Sequence, residues 1–131
     1  MLGKNIAKVF FLLIIAVGFF WAQSSQAAGW VTQSSGVSVN LRDIDMVDQN
    51  IGFAVGDGGT ILKTTNSGKN WSAIYTSVGD SFYGIDMYNS SIGWVVGMSG
   101  KILKTSNGGA SWDAQTSGTS YLLQDVDAYN G

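Results

Sequence analysis

The acidic residues are where this chain could do chemistry, and all nine are aspartates because the sequence holds no glutamate. Two carboxylates at a suitable separation form the acid and base pair of a glycosidase. The candidates for such a pair are Asp45, Asp86 and Asp127, which are spaced 41 residues apart. An active site breaks a repeat, whereas these three residues recur with it. The pattern therefore predicts a structural role for them and no enzymatic activity.

Two further patterns suggest ligand chemistry at first sight. Asp43, Asp45 and Asp48 place oxygen ligands at a spacing that calcium tolerates, but the next copy of the pattern keeps only the middle aspartate. Gly56–Gly59 is rich in glycine like a phosphate loop, yet no helix with a lysine-threonine pair follows it, and Asp57-Gly58 predicts a two-residue hairpin instead. We therefore expect no metal ion and no cofactor.

The elements that position these residues follow from a repeat. Trp30, Trp71 and Trp112 lie 41 residues apart, and each opens a segment that resembles the one before it. Repeats of about 40 to 50 residues built from short strands are typical of propeller blades, with four strands each. Eighteen glycines and the absence of proline fit turns between β-branched and aromatic runs. The sequence predicts an all-β fold, a β-propeller with four-stranded blades of 41-residue period.

Alternation and turn residues place the strands of each blade. The chain is expected to open with a lone fourth strand at Trp30 and to close with a lone first strand near Leu123. Between these ends, strands are predicted over Leu41–Met46, Gly52–Gly56 and Thr60–Thr64 and from Trp71, then from Phe82, Gly93, Lys101 and Trp112. The count is two whole blades and two partial ones.

Two blades leave large apolar faces uncovered, because a propeller ring needs at least about four blades. The interpretation that follows is an incomplete ring, the N-terminal portion of a longer protein whose further blades complete it. Self-association of several copies into a ring is the alternative, since rings form from heterologous contacts when the rotation closes.

The N-terminus has the pattern of a secretory signal peptide. Lys4 and Lys8 precede an apolar run over Val9–Trp21, and Ser25 and Ala27 form a small-residue cleavage site. We expect a signal peptide over residues 1–27 and a mature propeller segment over 28–131. An uncleaved membrane anchor is the alternative. Cleavage would leave no stable membrane anchor and a protein located in the periplasm, outside the cell or in the thylakoid lumen, according to the host.

The charge of the mature segment limits its partners. Without Lys4 and Lys8, five of the seven basic residues face nine aspartates, a net charge of −4. A mildly acidic balance argues against nucleic acid as a partner.

The turn before each repeated tryptophan follows the pattern [S/T]-x-[D/N]-x-G-x-x-W. It resembles the Asp-box, or BNR repeat, of sialidase-type propellers, with asparagine in the usual aspartate position. We expect the asparagine oxygen to bond backbone N–H groups, the glycine to take positive φ, and the tryptophan to cap the turn. The structural turn residues are Thr64, Asn66, Gly68 and Trp71 in one copy and Thr105, Asn107, Gly109 and Trp112 in the next.

A closer resemblance covers the whole repeat. Ile44-Asp45-Met46, then a run from Gly52 to Thr64 that ends in G-x-I-L-K-T, then the tryptophan turn, resemble the photosystem II stability and assembly factor family of propellers. The resemblance implies a non-catalytic, exported propeller that acts as a protein-binding or assembly scaffold. The photosynthetic members bind a newly made reaction-centre protein through arginines from several blades, and here only Arg42 is available for such a patch.

The competing interpretation is a sialidase-like or carbohydrate-binding propeller. Sialidases need an arginine cluster, a tyrosine activated by a glutamate, and an aspartate acid. This chain has a single arginine, Arg42, and no glutamate, so such a catalytic set would lie in blades outside this sequence.

Partner-binding residues are expected where the copies disagree within a repeated strand. One inner-strand position holds Arg42, then Tyr83, then Gln124, all with long or aromatic side chains. The hypothesis is that these three contact a client protein, with ordinary surface variation as the alternative. Lys63 and Lys104 recur in register and are expected to form a solvated stripe.

Overall fold

The computed structural model of the chain describes residues 29, 31–75 and 79–129. The expected signal peptide and Trp30 lie outside these residues. Within them, no helix is long and apolar enough to cross a membrane.

In the described part of the chain, eight short strands form two four-stranded sheets. Blade 1 consists of β1 (Leu41–Met46), β2 (Gly52–Gly56), β3 (Thr60–Thr64) and β4 (Ser72–Tyr75), and blade 2 of β5 (Phe82–Asp86), β6 (Gly93–Gly97), β7 (Ile102–Thr105) and β8 (Asp113–Gln115). The strands of each sheet are ordered as they follow in sequence, and every neighbouring pair is antiparallel. The predicted all-β fold with two whole propeller blades is confirmed.

The turn between the second and third strands differs from the expected two-residue hairpin. Residues Asp57–Gly59 form a short 3-10 turn, in which Gly58 and Gly59 have φ of 64° and 66°. Met98–Gly100 repeats it in blade 2, with Ser99 at φ 58°. The second of two consecutive residues with positive φ is a glycine in both turns, which avoids the steric cost of a Cβ there.

Three strand boundaries also differ from the sequence interpretation. The fourth strands begin at Ser72 and Asp113, one residue after each tryptophan, and β7 begins at Ile102. The lone first strand expected near Leu123 forms no ladder within residues 121–129. Leu123 still donates its backbone N–H to the carbonyl of Gly97 at 3.0 Å.

The hydrophobic core lies between the two blades. Strand pairing puts Val55 and Ile61 on one face of blade 1, here called its forward face, and Ile44, Ala54 and Leu62 on the opposite back face. The forward face of blade 1 packs against the back face of blade 2, and the buried cluster is formed by Phe53, Val55 and Ile61 with Phe82, Ile85, Met87, Val95 and Leu103. The apolar side chains on the facing sides of the two blades are therefore buried by the neighbouring blade.

Candidate partner-binding site

A β-bulge sets the direction of the candidate binding residues. The register between β1 and β2 shifts between Leu41 and Asp43, and that between β5 and β6 shifts between Phe82 and Gly84. The residue within each bulge, Arg42 or Tyr83, opposes no single partner on the second strand. A bulge changes the direction of the side chain of its extra residue. The position that varies between the copies is therefore also the one whose side chain departs from the regular alternation of the strand.

Arg42 and Tyr83 are in contact across the two blades. The guanidinium carbon of Arg42 lies 4.4 Å from the centroid of the Tyr83 ring. Arg42 Nε also donates to Asp57 Oδ1 at 2.7 Å, and Asn40 Nδ2 donates to Asp57 Oδ2 at 3.0 Å. The Arg42 side chain is thus oriented by a carboxylate of its own blade and by an aromatic ring of the next.

The ion pair changes the titration of both partners. Hydrogen bonds from Arg42 and, second, from Asn40 hold the pKa of the Asp57 carboxyl below its ordinary value. The hydrogen bond to Asp57 raises the pKa of Arg42. Both groups are therefore charged at neutral pH.

Gln124 is not part of this contact. It is exposed on the segment after β8, and its carbonyl oxygen lies 3.2 Å from the position that a Cβ on Gly84 would take. The structure brings Arg42 and Tyr83 together and adds Asp57 and Asn40, which sequence reasoning missed. The sequence analysis interpreted Asp57 only as part of a glycine-rich hairpin turn. Nothing in the sequence pairs it with Arg42.

The two tryptophan turns are organised by their threonines. Thr64 Oγ1 accepts the backbone N–H of Gly68 at 3.0 Å, and Asn66 Oδ1 accepts that of Asn70 at 2.9 Å. Gly68 has φ of 78°. In blade 2 the same bonds run from Gly109 to Thr105 and from Ser111 to Asn107, both at 2.9 Å. The buried threonine hydroxyl occupies the centre of each turn, a role that the sequence interpretation left to asparagine.

The two turn tryptophans have different surroundings. Trp112 packs against the core between the blades, near the position that a Cβ on Gly109 would take. Trp71 instead lines a groove on the back face of blade 1, and its Nε1 donates to Gln33 Oε1 at 3.4 Å.

The inner-strand aspartates bond across the blades. Asp43 Oδ2 accepts the N–H of Ile85 at 2.9 Å, and Asp45 Oδ2 accepts that of Met87 at 2.8 Å. Asp86 Oδ2 accepts the N–H of Ala128 in the same way. These carboxylates are bonded to backbone N–H groups of the next repeat. The recurrence of Asp45 and Asp86 in register was the signal in the sequence, and the packed blades identify which backbone N–H groups they accept.

Lys63 departs from the expected solvated stripe. Its Nζ donates to the carbonyl oxygen of Gly108 at 2.7 Å and lies 5.2 Å from the Phe53 ring centroid. The prediction for this residue was wrong, because the turn of blade 2 lies over the outer part of blade 1.

No metal site is found in the described part of the chain, where no group of acidic side chains converges to hold an ion. Asp48, a member of the calcium-like pattern, accepts the N–H groups of Asn50 and Ile51 at 2.6 and 2.8 Å. These bonds lower the pKa of Asp48, the one from Ile51 contributing most.

Two stacked four-stranded blades, each with a tryptophan turn between its third and fourth strands, define this part of the chain as a segment of a BNR-type β-propeller. The chain belongs to the family described as photosynthesis system II assembly factor YCF48, whose family model matches residues 22–117. The resemblance inferred from the repeat is confirmed.

A solved structure titled "YCF48 bound to D1 peptide" is similar in fold, with a TM-score of 0.55 and 23% sequence identity. The match covers 64% of this chain and 27% of that one, so this chain spans about a quarter of its length. None of the curated proteins matches the chain.

Proposed function

We propose that this chain is part of an exported, non-catalytic propeller that binds a client protein, with Arg42 and Tyr83 as anchors of the binding surface. The observation that carries the proposal is their contact across two blades, at a bulge position where the copies differ and where Arg42 is exposed and Tyr83 half-buried. Paired arginine and aromatic side chains are typical of residues that dominate binding energy at protein interfaces.

The chemistry of the pair suggests the kind of client segment. Asp57 bonds Arg42 through Nε, so that the two terminal nitrogens of the guanidinium remain as donors for a carboxylate or a carbonyl oxygen. The Tyr83 ring offers apolar surface beside these donors. An extended peptide with an acidic or C-terminal carboxylate group fits this arrangement, and the similar solved protein is itself bound to a D1 peptide.

The aspartates support a non-catalytic role. A glycosidase acid or base must approach the substrate, whereas Asp45 and Asp86 are bonded to backbone N–H groups of the following repeat. The chain also lacks glutamate and has one arginine, Arg42.

The test of client binding uses a fluorescent D1 peptide and measures anisotropy at increasing protein concentration. We expect Arg42→Ala and Tyr83→Ala each to weaken binding about tenfold, the effect of losing one interface anchor. Lys69→Ala, at an exposed position on the turn after β3, is the matched control and should bind like the parent. Unchanged binding by both site variants would refute the assignment, and hydrolysis of a sialoside by the parent would refute the non-catalytic role.

Export is a separate part of the proposal and rests on the pattern of residues 1–27. Mass spectrometry of the protein recovered from its native host should give an N-terminus at Ala28. Recovery of the intact chain from the cytoplasm would contradict it.

A further inference from the structure

The back face of blade 1 exposes the apolar side chains of its inner strand. Leu41, Ile44 and Met46 are 40%, 57% and 44% exposed. Leu41 and Ile44 line a groove of about 330 Å³ together with Ala54 and Trp71, and the polar residues of its lining are Gln33, Ser35, Arg42 and Asp43. Clustered apolar exposure of this kind marks an interaction surface.

The second blade shows what such a face binds. Leu41, Ile44 and Met46 correspond through the repeat to Phe82, Ile85 and Met87, which are buried against the forward face of blade 1. The back face of blade 1 is therefore equivalent to the back face of blade 2, which already packs on a forward face. The partner that fits it is another forward face of this repeat.

This chain carries a second forward face, on blade 2. Trp94, Val96 and Ile102 stand there at the positions of Phe53, Val55 and Ile61 in blade 1. The segment of residues 119–129, here called the tail, lies along its inner edge. Ala128 donates its N–H to Asp86, and a Cβ on Gly84 would lie 2.9 Å from Asp125 Cα.

The tail takes the place of an inner strand that belongs to a following blade. Leu123, Asp125 and Asp127 repeat Leu41, Asp43 and Asp45 in register. The local structure repeats as well, since Asp125 Oδ1 accepts the N–H of Val126 at 2.8 Å as Asp43 Oδ1 accepts that of Ile44 at 2.8 Å.

The backbone of β1 has an N–H group that could bond the Asp86 carboxylate in place of Ala128. Val47 donates its N–H to Ile51 across the hairpin, so the N–H of Met46, one residue earlier, points to the opposite side. Met87, the equivalent of Met46, donates its N–H to Asp45 of the preceding blade. On the forward face of blade 2, Asp86 is the equivalent of Asp45. It is therefore the acceptor that the N–H of Met46 would meet there.

We propose that copies of this 131-residue chain associate head to tail. The back face of blade 1 in one copy packs on the forward face of blade 2 in the next, and the N–H of Met46 replaces that of Ala128 at Asp86. The incoming β1 displaces the tail, whose apolar side chains at the same places are smaller, because Val126 and Ala128 stand where β1 has Ile44 and Met46. The contact is heterologous, so that further copies add in the same direction.

Sedimentation velocity at increasing protein concentration tests the association. The parent chain, with a monomer mass of 13.9 kDa, should show a rising average mass, whereas Ile44→Asp should stay monomeric because it puts a charge into the buried contact. Ala110→Asp, at an exposed position on the turn that packs over blade 1 of its own chain, is the matched control and should associate like the parent. A monomeric parent, or association of Ile44→Asp equal to that of the parent, would overturn the proposal.

A second variant tests the competition with the tail. Ala128→Pro removes the N–H that bonds Asp86 and leaves both faces intact. Because the tail then loses one charge-assisted hydrogen bond, association should tighten about tenfold. Unchanged or weaker association would contradict the displacement of the tail. Thermal unfolding monitored by tryptophan fluorescence shows whether each variant is folded before its association is measured.

Discussion

Blade 1 and blade 2 have the same strand order and closely similar sequences, but they bury different residues. Ile44 is 57% exposed and Ile85 is 4% exposed, although both are isoleucines at the same place in the repeat. Met46 and Met87 differ in the same way, at 44% and 7%. The difference shows that burial in this molecule depends on which blade lies behind a strand, since the segments Ile44-Asp45-Met46 and Ile85-Asp86-Met87 are identical.

The two blades also differ at the position of the Arg42–Asp57 ion pair. Blade 2 has Tyr83 in its bulge and Met98 in its 3-10 turn, an aromatic and an apolar side chain at the two places where blade 1 carries opposite charges. The regular parts of the repeat build the interface between blades, and this variable end is where a partner could distinguish one blade from another.

Removing the turn tryptophans should give the largest difference between the blades. Trp112→Ala should lower the free energy of unfolding by about 3–5 kcal/mol, as truncation of an aromatic side chain in a packed site does. Trp71→Ala should cost on the order of 1–2 kcal/mol, because Trp71 lines an open groove in this chain. Urea unfolding of both variants measures the difference, and equal losses would contradict it.

Truncating the equivalent isoleucines should give the next largest effect. Ile85→Ala creates a cavity between the blades and should cost about 2–5 kcal/mol. Ile44→Ala removes a side chain that is mostly exposed and should cost less than about 1 kcal/mol. The comparison is made by thermal and urea unfolding at low protein concentration, where association is weakest. A cost for Ile44→Ala that matches that of Ile85→Ala would show that the back face of blade 1 is covered.

The inter-blade aspartates should rank third. Asp45→Ala leaves the N–H of Met87, a mostly buried residue, without its acceptor and should cost about 1–3 kcal/mol. Asp86→Ala affects only the bond to the tail, whose release exposes fewer buried groups, and should cost less. Hydrogen exchange checks the mechanism directly: the Met87 amide should exchange faster in Asp45→Ala and keep its parent rate in Asp86→Ala.

Acid titration of the Arg42–Asp57 pair should give the smallest effect. The folded-state pKa of Asp57 is lowered, so its contribution to stability is present above the unfolded value of about 3.9 and is lost as the pH falls through the folded value. The pair therefore stays intact at neutral pH. Carboxyl carbon shifts of Asp57 should titrate below the usual range and return toward it in Arg42→Gln. An unchanged titration in that variant would assign the shift to another cause.

Repetition made the fold predictable from the sequence. The period between the tryptophans and the strands β1, β2 and β3 were placed correctly, because alternation and glycine turns are local properties. The start of β4 was predicted at Trp71 and lies at Ser72, because it depends on how the Trp71 ring is accommodated. The turn at Asp57–Gly59 was predicted as a two-residue hairpin and is a 3-10 turn, because a second residue takes positive φ.

The candidate site was less accessible to sequence reasoning. The series of Arg42, Tyr83 and Gln124 was found from disagreement between copies, but the bulge that redirects the first two and the carboxylate of Asp57 were not. The bulge and the position of Asp57 both depend on strand register. The pattern of apolar residues does not show a one-residue shift in register.

The sequence by itself determined that the chain is built of four-stranded blades, where most strands lie, and which side chains recur. Only the tertiary structure decided which of the recurring side chains are buried, that Asp45 bonds Met87, and that Lys63 lies over Phe53. The reason is physical. Strand formation follows from the local order of apolar and turn residues, whereas burial and inter-blade hydrogen bonds require two surfaces more than 40 residues apart to meet.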